Sequence, residues 1–100
     1  MVIVEGWVRL SDGELDRFEA AGKEMILASR AEAGCIDYSY ARDLIDPLLI
    51  RISEKWRDSA ALDTHFAEPH MARFQAALAT IKREAGDVRV YSAEELRRLI

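Results

Sequence analysis

The stretch Glu54-Lys-Trp-Arg-Asp-Ser-Ala-Ala-Leu-Asp-Thr-His-Phe-Ala-Glu-Pro-His-Met-Ala-Arg-Phe74 decides how this chain is read. It begins as the end of a strand that closes on Trp56, then turns through Asp58 into a short helix carrying His65. Asp58 or Ser59 is suited to cap that helix, with Leu62 and Phe66 along one side. The helix breaks near Pro69, which fits the first turn of a second helix, where its missing N–H does no harm. Met71, Phe74, Leu78 and Ile81 follow at three- to four-residue spacing and form a core stripe. One Trp and both histidines of the chain thus fall where a strand hands over to helices.

Outward from this junction the elements order themselves. Val2 to Leu10 is rich in Val, Ile and Trp and reads as a strand. Ser11-Asp-Gly-Glu14 matches a capping box, and Leu15, Phe18, Gly22, Met25 and Ser29 give the next helix a buried stripe that ends near Gly34. From Cys35 to Arg42, Ile36, Tyr38 and Tyr40 alternate with Asp37 and Ser39, the period of a half-buried strand. Asp43-Leu-Ile-Asp-Pro47 is a turn, and Leu48 to Trp56 completes a hairpin. Toward the C-terminus, Gly86 should stop the Pro69 helix, Asp87 to Tyr91 should form a short strand, and Ser92-Ala-Glu-Glu95 should open a terminal helix.

The order βαββαβ plus a C-terminal helix is the split βαβ, ferredoxin-like pattern of an α+β fold. It predicts a four-stranded antiparallel sheet with helices on one face, in a single domain over residues 1–100. Neither parity of the first and third strands is fully hydrophilic, so the face without helices is expected to pack sheet against sheet in a two-fold homodimer.

A net charge of −4 with no Lys/Arg cluster argues against a nucleic-acid partner. The apolar runs are far too short to span a membrane. Cys35 stands alone, so there is no disulfide framework or thiolate metal site. The N-terminus has no basic start followed by a long apolar run, and a cytoplasmic setting is expected. No glycine-rich phosphate loop, His-Glu-x-x-His or nucleophile elbow occurs, so the sequence calls for no cofactor. His65 and His70 on one continuous helix would point about 140° apart, a poor chelate, and no metal is expected.

The remaining residues each carry two readings. His65 and His70 are either proton-transfer groups beside a cavity or part of ordinary helix chemistry. Trp56 is either packed core or the aromatic wall of a pocket. Glu54, on an apolar strand, is either paired with Arg42 or Arg51 across the hairpin or carries a raised pKa and acts as an acid or base. Tyr38 and Tyr40 each present an apolar body with a polar tip, suited either to packing or to holding an oxygenated ring.

With Gly34-Cys-Ile-Asp-Tyr38, Glu54-Lys-Trp56, Ala61-Leu-Asp-Thr-His65 and Pro69-His70-Met-Ala-Arg-Phe74, the chain resembles the antibiotic biosynthesis monooxygenase family. The resemblance covers nearly the whole chain. It implies a dimeric α/β barrel with a small-molecule substrate between helices and sheet, oxidised without a cofactor because the substrate itself supplies the electrons that activate oxygen. By resemblance, Trp56 matches the Trp that lines the pocket, and His65 and His70 the histidine-bearing helical segment beside it. The reading built on this makes His65 or His70 the proton-transfer group, Glu54 an orienting carboxylate in the catalytic set, and Trp56, Tyr38, Phe66 and Phe74 the substrate-binding surface. Haem-degrading relatives use an Asn on the first strand; this chain contains no Asn, which turns the reading away from haem. An isomerase of a small oxygenated metabolite would use the same histidines without consuming oxygen. A non-catalytic dimeric ligand-binding module would instead fill its cavity with Trp7, Phe66 and Phe74.

Overall fold

A computed structural model describes residues 1–100. The elements run β1 (Val2–Leu10), α1 (Leu15–Arg30), β2 (Cys35–Arg42), β3 (Leu49–Trp56), α2 (Ser59–Phe66), α3 (Pro69–Leu78) and β4 (Arg83–Ser92). The strands form one antiparallel sheet in the order β2-β3-β1-β4, the ferredoxin-like arrangement the sequence predicts.

Residues directly opposed across a ladder share a face. Val4, Glu54 and Tyr38 are opposed, as are Val8, Ile50 and Arg42. Val4, Val8, Ile50 and Tyr38 are buried together with Phe18 and Met25 of α1, Leu62 of α2 and Phe74 of α3, so the core lies between the sheet and the helices. The opposite face presents Glu5, Trp7, Arg51, Ser53, Asp87, Arg89 and Tyr91 around a shallow groove of about 350 Å3. Every residue of β4 is exposed, including Val88 and Val90, so the helix layer stops short of this edge strand.

The short-range signals succeed at α2 and α3. Asp58 is extended and accepts from the Ala61 N–H at 2.8 Å, and Pro69 occupies the first turn of α3. Four other expectations are corrected. Ser11 does not cap α1: Glu14 is the N-cap residue, with no side-chain cap bond, and its carboxylate instead takes the Lys82 N–H at 3.1 Å and the Arg17 guanidinium. The left-handed turn that makes this possible is at Gly13, φ 83°. Gly34 does not cap α1, which already ends at Arg30. Instead a Cβ at position 34 would meet the Ala61 Cβ at 2.3 Å, so Gly34 allows α2 to approach the chain before β2. Ile36 is exposed because the β2–β3 register shifts between Cys35 and Asp37.

The fourth correction is at the C-terminus. Gly86 lies inside β4 rather than ending α3, and Ser92 is the last residue of that strand rather than a helix cap. The Ala93 N–H continues the ladder to the Met1 carbonyl at 2.9 Å, and residues 93–100 form no helix. Leu96, Leu99 and Ile100 are exposed. Eight residues are too few to sustain a helix in water without an apolar surface to bury against.

Candidate functional site

The break between α2 and α3 sets the local geometry. His65 sits in the last turn of α2, and Glu68 then adopts an extended ψ of 146° ahead of Pro69. The two helices therefore diverge, and the imidazoles of His65 and His70 come within 5.8 Å, centroid to centroid. Both point at Glu32, in the turn after α1. Its Oε2 lies 2.6 Å from His65 Nδ1 and 2.8 Å from His70 Nε2. All three side chains are at least nine-tenths buried, and Glu32 Oε1 is buried without a hydrogen-bond partner. Glu32 is the member of this cluster that no sequence motif marks. Its only signal was an acidic residue alone between alanines just before Gly34-Cys35, with no basic neighbour.

Against this cluster stands a second buried group. The Trp56 ring packs on the His65 ring at 4.5 Å. Its indole N–H donates to Glu54 Oε1 at 3.0 Å, an i, i+2 contact along one face of β3. Neither Arg42 nor Arg51 pairs with Glu54: Arg42 reaches Glu19, and Arg51 reaches Asp43. Burial lifts the Glu54 carboxyl to about 7; the Trp56 hydrogen bond and the nearby Tyr38 hydroxyl only partly offset it, and the nearby Glu32 charge adds to it. Tyr38 is opposed to Glu54 in the β2–β3 ladder, and its hydroxyl lies 2.6 Å from that of Tyr40. Burial raises both phenols above their ordinary range, so both stay protonated at neutral pH.

A cavity of about 500 Å3 opens between the sheet and the helices toward the start of β4. Phe18, Tyr40, Ile52, Phe74, Leu78 and Val88 supply its apolar walls, and Arg83, Glu84 and Asp87 stand at the β4 side. The volume is within the range of small-molecule sites. Gly6 lies in register with Ile52 on one side and Val88 on the other. A Cβ there would meet the Asp87 carbonyl oxygen at 2.0 Å, so the β1 backbone itself borders the β4 strand at this point.

Of the residues singled out from sequence, Phe74 lines the cavity. Trp56, Tyr38, Glu54, His65 and His70 lie behind it, as the buried network just described. Phe66 is half exposed and touches neither cavity wall nor carboxylate, its ring lying 5.8 Å from His65. Tyr40 joins the two regions: it is a wall of the cavity and the hydrogen-bond partner of Tyr38. The alternation of β2 places it beside Tyr38 on one face, where its phenol suits either packing or holding an oxygenated ring.

Comparison with known proteins agrees with this architecture. The family model described as antibiotic biosynthesis monooxygenase matches residues 1–77. An uncharacterized Synechocystis protein is 29% identical over 98 residues, covering 98% of this chain and 67% of its own length. The proposed monooxygenase YcnE of Bacillus subtilis is 24% identical over 76 residues, 76% of this chain and 80% of that one. The crystal structure of a proposed antibiotic biosynthesis monooxygenase from Deinococcus radiodurans superposes with a TM-score of 0.90 at 27% identity, covering 100% of this chain and 99% of that one. With this match over most of its length, in fold as in sequence, the chain belongs to the antibiotic biosynthesis monooxygenase family.

Proposed function

We propose that the chain is a cofactor-independent monooxygenase acting on a small aromatic, polyketide or quinol-like molecule bound in the 500 Å3 cavity. The observation that carries this reading is Tyr40, at once a cavity wall and the first link of a buried path through Tyr38 to Glu54. In the relay we propose, the Tyr38 hydroxyl turns to the Glu54 carboxylate opposite it in the ladder, and Tyr40 donates to Tyr38 and keeps a lone pair for a ligand hydroxyl. A ring hydroxyl seated there passes its proton along the two phenols to a carboxylate poised near neutrality. The ring becomes electron-rich and reduces dioxygen. One oxygen atom enters the substrate in place of two hydrogens, and the other leaves with those hydrogens as water, so the substrate is the reductant. Phe18 and Phe74, packed edge to face, form one apolar wall beside the ring and exclude water. Trp56, His65 and His70 act behind the wall: Trp56 holds Glu54, and the histidines hold Glu32.

The assembly we propose is a homodimer in the cytoplasm. Trp7 and the exposed Tyr91 stand on the helix-free face of the sheet, and a second copy packed sheet against sheet would cover them and complete the dimeric α/β barrel. A monomer by light scattering at micromolar concentration would remove this part.

The activity is tested by oxygen uptake with a panel of quinols and anthrone-like phenols. Wild-type turnover, lost in Tyr40→Phe and Glu54→Gln, is the expected result. Turnover without oxygen uptake would assign the site to isomerisation, and equal rates in wild type and both variants would refute the relay.

A further inference from the structure

We infer that Glu32, His65 and His70 form a binding site for one divalent transition-metal ion, of the zinc class, distinct from the cavity and independent of the proposed oxidation. The donor set is two imidazoles and a carboxylate, with one ligand atom from each lying within 4.8 Å of the others. The angular argument against chelation holds for one continuous helix, whereas His65 ends α2 and His70 begins α3. The break turns both rings onto one point.

Two details favour an ion over a hydrogen-bonded hub alone. The two N–H donors share a single oxygen, Oε2, while Oε1 of the same carboxylate is buried with no partner. An ion at this point would engage the carboxylate and take the place of the two ring hydrogens. The donor atoms now lie 2.6 and 2.8 Å apart, and they would open to the wider spacing set by metal–ligand bonds of about 2.0–2.2 Å. Imidazole and carboxylate ligands together suit zinc and its neighbours rather than calcium or magnesium. A pocket of about 230 Å3, lined by Glu32, Gly34, Arg57, Thr64 and Glu68, adjoins the site on its outer side. The ion would tie the turn after α1 to both helices. Because each ring nitrogen must shed its proton to bind, uptake would weaken in acid.

The experiment is calorimetric titration of the chelator-stripped full chain with Zn2+, with Co2+ absorption as an optical readout and thermal melts with and without metal. The expected result is one Zn2+ per chain, a tetrahedral Co2+ spectrum, and a melting temperature raised by metal and restored by chelator. Glu32→Gln and His70→Gln should each weaken binding by on the order of tenfold or more, while Glu24→Gln on the surface of α1 should not. Because these variants remove a buried hydrogen bond, their folding is checked by circular dichroism. If one unfolds, the melts of wild type with and without metal decide alone. Absence of binding at about 1 mM Zn2+, or binding that survives in folded Glu32→Gln and His70→Gln, overturns the site. The oxygen-uptake test is decided separately, by Tyr40→Phe and Glu54→Gln.

Discussion

Trp56 donates its indole N–H to Glu54 two residues earlier on the same strand, at 3.0 Å, and both side chains are buried. A carboxyl held in the core by a neutral donor, with no cation beside it, becomes the acid whose titration the folded state feels most. The neighbouring aromatic residues serve this group as much as they serve the core.

The pH dependence of stability follows with a definite sign. Burial raises the Glu54 carboxyl from 4.5 to about 7 on folding. The folded chain therefore keeps a proton that the unfolded chain has lost between these values. Stability from this group is full below about pH 4.5, declines through the window and levels off above about pH 7, a loss of about 3 kcal/mol. Glu54→Gln should flatten this part of the profile and gain on wild type at pH 8. Urea denaturation of both proteins from pH 4 to 8 measures the difference, and parallel profiles would contradict it.

Tyr40→Phe removes one hydroxyl and leaves the ring that packs on Phe18 and Phe74. The stability loss should be about 1 kcal/mol. The rate should fall by about a hundredfold, because the phenol is the link between ligand and carboxylate. Steady-state oxygen uptake beside a thermal melt separates the two effects.

Asp58→Ala should cost about 1 kcal/mol, through the lost bond to the Ala61 N–H at the start of α2. Asp58→Asn should recover most of it. Denaturation of the two variants side by side checks the cap without touching the cavity.

Gly6→Ala should destabilise the β1–β4 pairing by about 2–3 kcal/mol, because the new Cβ would fall on the Asp87 carbonyl and the Val88 Cα. Hydrogen exchange should show the loss in β4 amides before those of β3.

Tyr91→Asp places a charge on the helix-free sheet face that the proposed partner would cover. Sedimentation should show monomers where wild type gives dimers, with the far-ultraviolet circular dichroism unchanged.

Much of the fold was legible because it rests on short-range rules. The alternation of Tyr38 and Tyr40, the cap at Asp58 and the proline at the start of α3 each specify a backbone state within a few residues. The errors came where a local signal met a distant partner. Glu14 is drawn to the Lys82 amide instead of closing a box with Ser11, and the Ala93 amide extends a strand to Met1 where a cap was read. The site divides in the same way. Glu54, Trp56, His65 and His70 were visible as unusual residues on known elements. Glu32 and Tyr40, which join them to each other and to the cavity, act across 33 residues in one case and across the sheet–helix interface in the other. No spacing in one sequence encodes such meetings.

Gly6 carries a consequence for selectivity. Its neighbours in the ladders, Ile52 and Val88, both line the cavity, whereas position 6 tolerates no side chain. The gap between those two side chains is therefore set by a fixed backbone spacing and two variable residues. Substitution at 52 and 88 is the route by which this scaffold can narrow or widen for rings of different size, with its strand pairing left intact.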